Sequence, residues 1–224
     1  MPDLSSPLHL DMLRRSRERH SRLRRVLKAA RREWSHRHIY GMEWGDPDVV
    51  PPLAYIRERF VDPFVREGGI AIEIGPGGGR WTQYLCRMER VYAVDYHSDL
   101  LDELQKRFRK PNIIAVANNG TDFPDVPPAC ADYVFSFGVF VHLDPPLIES
   151  YLANLHEVVK PAANLVIQYS DKTKVMAQRL GGGFSENDPI RMRHMVEAAG
   201  YRIVEEDTTS LWHSSVMRFV PRIG

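Results

Sequence analysis

The chain has 224 residues, of which 43% are hydrophobic and 26% are charged, and its 30 Lys and Arg nearly balance its 29 Asp and Glu. Periodic runs of Ile, Leu, Val, Phe and Tyr exclude a disordered chain. The apolar runs are far shorter than the ~20 residues that a membrane-spanning helix needs, so no membrane is expected as a partner. The length predicts one domain with an appendage, since a domain usually has ~100–200 residues.

The first residues and the cysteines indicate the compartment. Asp3 and Asp11 lie in an N-terminal stretch that lacks the positive start and the unbroken apolar centre of a secretory signal. The two cysteines, Cys86 and Cys130, have neither the spacing of a zinc site nor the number of a disulfide framework. We therefore predict a cytoplasmic protein.

A basic segment precedes the rest of the chain. Residues 14–37 hold 11 Lys and Arg and two acidic residues, a local charge of +9, which leaves −8 for the remainder. Apolar residues from Leu13 to Trp34 recur there mostly at helical spacing, which is typical of an amphipathic helix that packs by its apolar stripe. We assign residues 1–67 to a helical appendage and substrate-side segment, with a loop at 40–52 and a short helix at 53–65. The stripe suits packing or assembly into a homodimer.

From residue 68 onward the pattern alternates between strands and helices. Strand-like runs occupy residues 70–74, 90–95, 112–117, 132–137, 164–170, 201–207 and 211–220. Helical runs occupy residues 81–88, 98–109, 145–159 and 189–199. Strands joined through helices favour a parallel sheet with right-handed crossovers and with helices on both faces.

The last two strands break this alternation. Only residues 208–210 separate them, which is too short for a parallel crossover, so they should form an antiparallel hairpin. The predicted fold class is therefore α/β, a Rossmann-like sheet of seven strands, mostly parallel with an antiparallel last strand, in a domain spanning residues 68–224.

A glycine-rich turn follows the first strand, where AIEIGPGGGRW contains Glu73, Gly75, Gly77 and Gly79 in the spacing ExGxGxG. Glycines at such a turn let a nucleotide-like ligand approach the main-chain N–H groups at a helix N-terminus. The NAD fingerprint would require glycine at Arg80, and a phosphate-binding Walker loop would require Lys followed by Ser or Thr. The loop therefore disfavours both NAD and nucleoside triphosphates.

Polar residues end the next two strands. Asp95 ends the second strand, where a carboxylate can bind the two hydroxyls of a ribose. Asn119, Gly120 and Asp122 follow the third strand, where a purine edge would lie, although these residue types also suit any turn.

Together these residues resemble the class I S-adenosylmethionine-dependent methyltransferases over roughly residue 68 to the C-terminus. The resemblance implies that S-adenosylmethionine is the cofactor and S-adenosylhomocysteine its product. It assigns the amino-acid portion to the ExGxGxG residues, the ribose to Asp95, and the adenine to Asn119 and Gly120. The antiparallel final strand is also a hallmark of that family.

The residues after the fourth strand bear on the acceptor. Family members that methylate base amino groups commonly place (N/D)PP(Y/F) there, whereas this chain has Ser136, Phe137 and Gly138, with Ser136 as a further expected cofactor contact. Asp144 with two following prolines lies downstream and is best explained as the start of a helix. His142 lies between, and a neutral imidazole can accept a proton from an attacking alcohol, so we predict it as the general base.

Further residues are candidates for catalysis or substrate binding. Tyr169 and Asp171 end the fifth strand and should face the same crevice, where Asp171 can bind a hydroxyl, orient His142, or join Asp144 around a divalent cation. Two acids and a histidine do not define a metal site, so we assign no metal ligands and leave a magnesium requirement open. Trp44, Tyr169 and His213 are candidates for substrate binding. Gly181–Gly183 either hinges a flap or fills an irregular loop.

The segments EWGDPD, EIGPGGGRWTQYL, SFGVFVHLD, YSDKTK and LWHSS resemble a bacterial subgroup that includes sugar O-methyltransferases. They are similar to the mycobacterial enzymes of methylmannose polysaccharide synthesis that methylate the 1-hydroxyl of a 3-O-methylated mannoside. The resemblance implies an oligosaccharide acceptor. The alternatives are an O-methyltransferase for another small hydroxylated molecule, an RNA methyltransferase whose basic segment neutralises phosphates, and a non-catalytic cofactor-binding protein. Nucleic acid is the less expected partner, because the strand-four motif is missing.

Overall fold

The computed structural model describes residues 40–222. The predicted basic helix, with Leu13 and Trp34, lies outside the described residues, as does most of the predicted appendage. Within the described range, no helix combines the length and the hydropathy needed to cross a membrane.

Seven strands form one sheet. They are β1 (Ile70–Ile74), β2 (Arg90–Asp95), β3 (Ile113–Ala117), β4 (Ala131–Ser136), β5 (Val159–Ser170), β6 (Tyr201–Asp207) and β7 (Ser214–Pro221). Their order is β3-β2-β1-β4-β5-β7-β6. The first five strands run parallel, while β7 pairs antiparallel with both β5 and β6. The predicted fold class is thereby confirmed.

Within residues 40–222, six α-helices connect and cover these strands. They are α1 (Pro51–Ile56), α2 (Thr82–Leu85), α3 (Ser98–Phe108), α4 (Pro145–Val158), α5 (Val175–Arg179) and α6 (Pro189–Ala198). Short 3₁₀ turns lie at Met42–Trp44 and Gly181–Gly183, and α1 continues as a π-turn at Arg57–Val61.

The two faces of the sheet bury separate clusters, because side chains alternate along a strand. Ile72 and Ile74 of β1 pack with apolar residues of α4 and α6. Ala71, the neighbour in the same strand, packs on the opposite face with residues of α1, α2 and α3. Helices on both faces therefore enclose the sheet, and the aligned ends of β1, β2 and β4 remain as an edge where a ligand can bind.

Four element boundaries differ from prediction by three or more residues. β5 begins at Val159 and not at residue 164, because Val159 already pairs with Ala131 before an irregularity in the register. The last strand begins at Ser214 and not at 211, because Asp207 Oδ1 accepts hydrogen bonds from the main-chain N–H groups of Thr209 (2.7 Å) and Ser210 (2.9 Å) and holds a longer turn. The helix predicted at 81–88 is shorter and consists of α2, which ends at Leu85. The main chain turns after Leu85, and the N–H of Glu89 donates to the carbonyl of Gly69 at 3.0 Å. The helix predicted at 53–65 ends earlier, before a proline that cannot donate to the next turn.

Candidate functional site

A cavity of about 600 Å³ opens at the carboxyl ends of β1, β2 and β4. In the sheet, β2 and β3 lie on one side of β1, whereas β4 and β5 lie on the other side. Such a switch in strand order leaves a crevice in which open α/β sheets bind ligands. The wall is mostly apolar with a few polar groups, which is typical of a site for an organic molecule.

The glycine loop forms one wall of this cavity. Gly75 (φ 71°) and Gly77 (φ 55°) have left-handed backbone conformations and line the cavity. A Cβ on Gly75 would lie 2.0 Å from a methyl of Val139, and one on Gly77 would lie 3.0 Å from the ring of Tyr40. Both positions therefore require glycine for the turn and for close packing. Gly79 does not line the cavity and instead packs the loop against α3.

Glu73 lies beneath the glycine loop and not in the cavity wall. It is almost fully buried, and it accepts a 2.6 Å hydrogen bond from the hydroxyl of Thr82. Burial raises the pKa of Glu73 to about 7, although the Thr82 hydrogen bond opposes this shift. The structure therefore gives Glu73 a role in supporting the loop, not in contacting a ligand in the cavity.

Asp95 and Gly120 line the cavity beyond the ends of β2 and β3. Asp95 is 8% exposed, and its Oδ1 accepts a 2.8 Å hydrogen bond from the N–H of His97. Asn119 is exposed and lies outside the cavity wall, where its Oδ1 accepts from the N–H of Thr121 at 3.1 Å. Of the predicted adenine contacts, the structure thus brings only Gly120 to the cavity.

His142 lines the cavity in the turn between β4 and α4. Its Nδ1 is hydrogen-bonded to the carbonyl oxygen of Gly183. A carbonyl only accepts, so Nδ1 carries the proton and Nε2 is the nitrogen with the lone pair in the neutral imidazole. The Gly181–Gly183 turn therefore fixes Nε2 as the nitrogen that can accept a proton.

An aromatic ring connects the two cavity histidines. The ring of Phe184 meets His142 at 5.4 Å and His213 at 5.1 Å between centroids, both edge-on. His213 lies in the turn before β7, and burial, followed by the charge of Lys174, lowers its pKa. Its buried Nδ1 has no hydrogen-bond partner among the described residues. Trp44 lines the same cavity and is 49% exposed, so the predicted substrate residues Trp44 and His213 both reach it.

Three other predicted site residues lie outside the cavity wall. The hydroxyl of Ser136 donates to the carbonyl oxygen of Ile74 at 3.0 Å. The hydroxyl of Tyr169 donates to the carboxylate of Glu206. Asp171 is buried, and it accepts a 2.7 Å hydrogen bond from the hydroxyl of Ser215. The structure brings neither Tyr169 nor Asp171 to His142, in contrast to the expectation that both face the crevice.

Asp144 lies at the N-cap position of α4, and proline occupies the first helical position. This placement confirms that the Asp-Pro-Pro sequence is a helix start. The Asp144 side chain makes no capping hydrogen bond, so the prolines and the extended backbone of Asp144 begin the helix. In the described part of the chain, no group of three His, Cys, Asp or Glu is placed to hold a metal ion.

Arg80 and Gln168 are among the cavity residues that sequence analysis missed. The sequence analysis considered Arg80 only as a residue that does not match the NAD fingerprint. Gln168 of β5 accepts from the N–H of Gly138 and donates to the hydroxyl of Ser214, both at 2.7 Å. It thereby joins the turn that carries His142 to the start of β7 beside His213. No local pattern marks Gln168, because its partners are distant in the sequence.

Comparison with known proteins is consistent with this geometry. Residues 71–162 match the family model described as a methyltransferase domain. The ribosomal RNA small subunit methyltransferase A of Synechococcus sp. (strain JA-3-3Ab) is 29% identical over 168 residues, which cover 72% of this chain and 57% of that protein. The chain thus spans little more than half the length of this relative.

Solved structures share the fold. A SAM-dependent methyltransferase from Aquifex aeolicus superposes with a TM-score of 0.58 at 20% identity, covering 78% of this chain and 92% of the other. A TehB-like SAM-dependent methyltransferase from Corynebacterium glutamicum superposes with a TM-score of 0.59 at 19% identity, covering 93% and 98%. Residues 71–162 thus match a methyltransferase domain, and the strand order is that of a fold shared with solved S-adenosylmethionine-dependent methyltransferases.

Proposed function

We propose that the protein is an S-adenosylmethionine-dependent O-methyltransferase that methylates a sugar hydroxyl. The acceptor we propose is the 1-hydroxyl of a 3-O-methylated mannoside in methylmannose polysaccharide biosynthesis. The observation that carries the proposal is the contact of His142 Nδ1 with the Gly183 carbonyl, in the wall of the cavity. The contact leaves Nε2 as the atom of His142 that can take a proton from an alcohol.

The residues present fit the cofactor. Gly75 and Gly77 bring the main chain of the glycine loop into one wall of the cavity, where a ligand can contact it. The carboxylate of Asp95 lies in the same cavity, where it can accept hydrogen bonds from two ribose hydroxyls, and Gly120 leaves space beside it for the adenine. When bound, S-adenosylmethionine supplies an activated methyl group on a sulfonium.

The chain's own residues then need to orient the acceptor and accept a proton. His142 Nε2 takes the hydroxyl proton as the oxygen attacks, and the Gly183 carbonyl stabilises the resulting imidazolium through Nδ1–H. The apolar wall, including Phe137 and Phe184, excludes water from the reacting atoms.

A sugar suits the remaining surfaces of the cavity. Trp44 offers a partly exposed aromatic face, on which the apolar face of a sugar ring can stack. His213 offers a second imidazole, separated from His142 by the Phe184 ring, for a further acceptor hydroxyl. The cavity of about 600 Å³ is within the ~300–1,000 Å³ range of sites that enclose a small molecule.

Turnover with a labelled methyl donor tests this proposal. The acceptor panel contains methylated manno-oligosaccharides, unmodified sugars, phenols and RNA, each with and without magnesium. We expect transfer of label to the methylated manno-oligosaccharides and none to RNA. Transfer to phenols alone would replace the sugar by another small hydroxylated acceptor, which is the nearest alternative. We further propose a cytoplasmic protein that assembles as a homodimer; sedimentation of the full chain measures the second point.

A second candidate function is methylation of RNA. It is favoured by the similarity to a ribosomal RNA methyltransferase and by the net charge of +9 in residues 14–37. Against it, Ser136, Phe137 and Gly138 replace the (N/D)PP(Y/F) of base amino methylation. Binding of RNA measured across salt concentration separates the two: phosphate contacts by several cations would give a steep negative slope, and no binding at low salt removes RNA as substrate.

A further inference from the structure

The guanidinium of Arg80 is a buried cation in the cavity wall with few polar contacts. The residue is 7% exposed and lines the cavity. A guanidinium carries five N–H donors, yet the guanidinium of Arg80 makes one long hydrogen bond within the described residues, from Nη1 to the carbonyl oxygen of Gly45 at 3.5 Å. The carboxylates of Glu43 and Glu73 act on it at longer range, without an ion pair in that part of the chain.

This burial has an energetic cost that the protein offsets only in part. Desolvation lowers the pKa of Arg80 to about 10, so the side chain is still charged at neutral pH. The rings of Trp81 and Phe137 lie 5.8 Å and 5.4 Å from the guanidinium carbon, where they give weak cation–π attraction but use none of its directional donors. A buried charge with so little compensation is suited to an anion that enters the cavity.

The position of Arg80 in the cavity indicates which portion of the proposed cofactor lies beside its guanidinium. The order β3-β2-β1-β4 places Gly120 and Asp95 on one side of the glycine loop and Phe137 on the other. This inference rests on the proposed function, in which the ribose binds Asp95 and the adenine lies towards Gly120. The amino-acid portion of the cofactor then extends towards Phe137, against which Arg80 packs.

The charges of the cofactor leave one partner for this cation. The sulfonium and the ammonium are positive and are repelled by a guanidinium, whereas the carboxylate is the single anionic group of both S-adenosylmethionine and S-adenosylhomocysteine. We propose that Arg80 binds the carboxylate of the cofactor's amino-acid portion and makes the site select donors that carry it. The planar fork of a guanidinium matches a carboxylate with two parallel hydrogen bonds.

Calorimetry on the full chain tests the proposal without any acceptor. The two probes are S-adenosylhomocysteine and its decarboxylated analogue, in which hydrogen replaces the carboxylate. The wild-type protein is expected to bind S-adenosylhomocysteine about 10- to 100-fold more tightly than the analogue, the range for a charged hydrogen-bonded pair. Arg80→Met and Arg80→Gln are expected to bring this ratio close to one, through loss of affinity for S-adenosylhomocysteine alone.

Arg107→Met is the matched control. Arg107 is also a partly buried guanidinium beside the loop, but it donates to the carbonyl of Gly78 at 2.5 Å and does not line the cavity. Its loss should change both affinities equally and keep the ratio. Arg80→Gln decides the test if Arg80→Met does not fold. If Arg80→Gln keeps the wild-type ratio of the two affinities, Arg80 does not bind the carboxylate, while the cofactor assignment still stands. No heat with either probe in the wild-type protein would overturn the proposed function as well.

Discussion

The Nδ1 atom of His142 is hydrogen-bonded to the main-chain carbonyl of Gly183, 41 residues away in the sequence. His142 lies in the turn after β4, whereas Gly183 ends a 3₁₀ turn between α5 and α6. The contact therefore joins two loops that both line the cavity, and it determines which nitrogen of the imidazole can accept a proton.

Replacing His142 by alanine is expected to separate cofactor binding from turnover. The affinity for S-adenosylhomocysteine should stay within about threefold, because the glycine loop and Asp95 are untouched. Turnover should fall by about 100-fold or more, the usual contribution of a positioned general base. His194→Ala, on the exposed face of α6, serves as the control. Wild-type turnover of His142→Ala on its acceptor would show that another group, or water, removes the proton.

Removing the carboxylate of Asp95 is expected to weaken cofactor binding. Two hydrogen bonds to a charged group contribute ~1.5–3 kcal/mol each, so Asp95→Ala should lower the affinity for S-adenosylhomocysteine by about 100-fold or more. Calorimetry measures the affinity, and the melting temperature checks that the turn at His97 survives the loss of its 2.8 Å hydrogen bond. Asp102→Ala, exposed on α3, is the matched control. Unchanged affinity in Asp95→Ala would place the ribose elsewhere.

Two glycines with nearly the same positive φ angle allow a steric clash to be distinguished from backbone strain. Gly79 has φ 86° and Gly138 has φ 87°. A Cβ on Gly79 would lie 2.3 Å from the Phe108 ring and 2.7 Å from Leu104, whereas one on Gly138 would meet nothing within 4 Å. Both alanine variants incur the left-handed strain of ~1–3 kcal/mol.

Gly79→Ala should therefore be less stable than Gly138→Ala by a further ~1–3 kcal/mol, the cost of overpacking. Denaturant midpoints at constant slope measure this difference. Equal midpoints for the two variants would mean that α3 shifts to make room at low cost, and that the glycine loop is not tightly packed against this helix.

Strand positions could be predicted from the sequence better than side-chain directions. The ends of β1, β2 and β4 follow from apolar runs, and so Gly75, Asp95 and His142 were correctly placed at one edge of the sheet. At the end of β5, Tyr169 was predicted to face the crevice, but its neighbour Gln168 lines it instead. Adjacent strand residues point to opposite faces, so an error of one residue reverses the assignment.

Long-range hydrogen bonds account for the other differences. Asp171 is turned away from His142 by its bond to Ser215, which becomes a neighbour only because β7 pairs with β5. Gly183 contacts His142 although 41 residues separate them in the sequence. Arg80 donates to the carbonyl of Gly45, which lies 35 residues earlier in the chain. A local pattern contains no information on such pairings, since they depend on how distant segments pack.

The buried Glu73 predicts a specific dependence of stability on pH. Its pKa is raised from 4.5 to about 7 in the folded state. Between these two values the folded protein holds a proton that the unfolded chain releases, so the contribution of Glu73 to the free energy of unfolding falls as the pH rises. Above pH 7 the contribution of Glu73 is constant. There it lowers the free energy of unfolding by about 3 kcal/mol, because each unit by which the pKa is raised corresponds to about 1.36 kcal/mol.

Glu73→Gln keeps an oxygen that can accept the Thr82 hydrogen bond but removes the ionisation. The free energy of unfolding of the variant minus that of the wild type is therefore expected to rise between pH 4.5 and 7 and to stay level above, which makes the variant comparatively more stable in alkaline buffer. Urea titrations at intervals of half a pH unit measure this difference, with the exposed Glu149→Gln as the control for losing one surface carboxylate. A difference that does not change with pH would mean that Glu73 is already ionised in the folded protein, compensated by the guanidinium groups of Arg80 and Arg107, which both oppose the rise of its pKa.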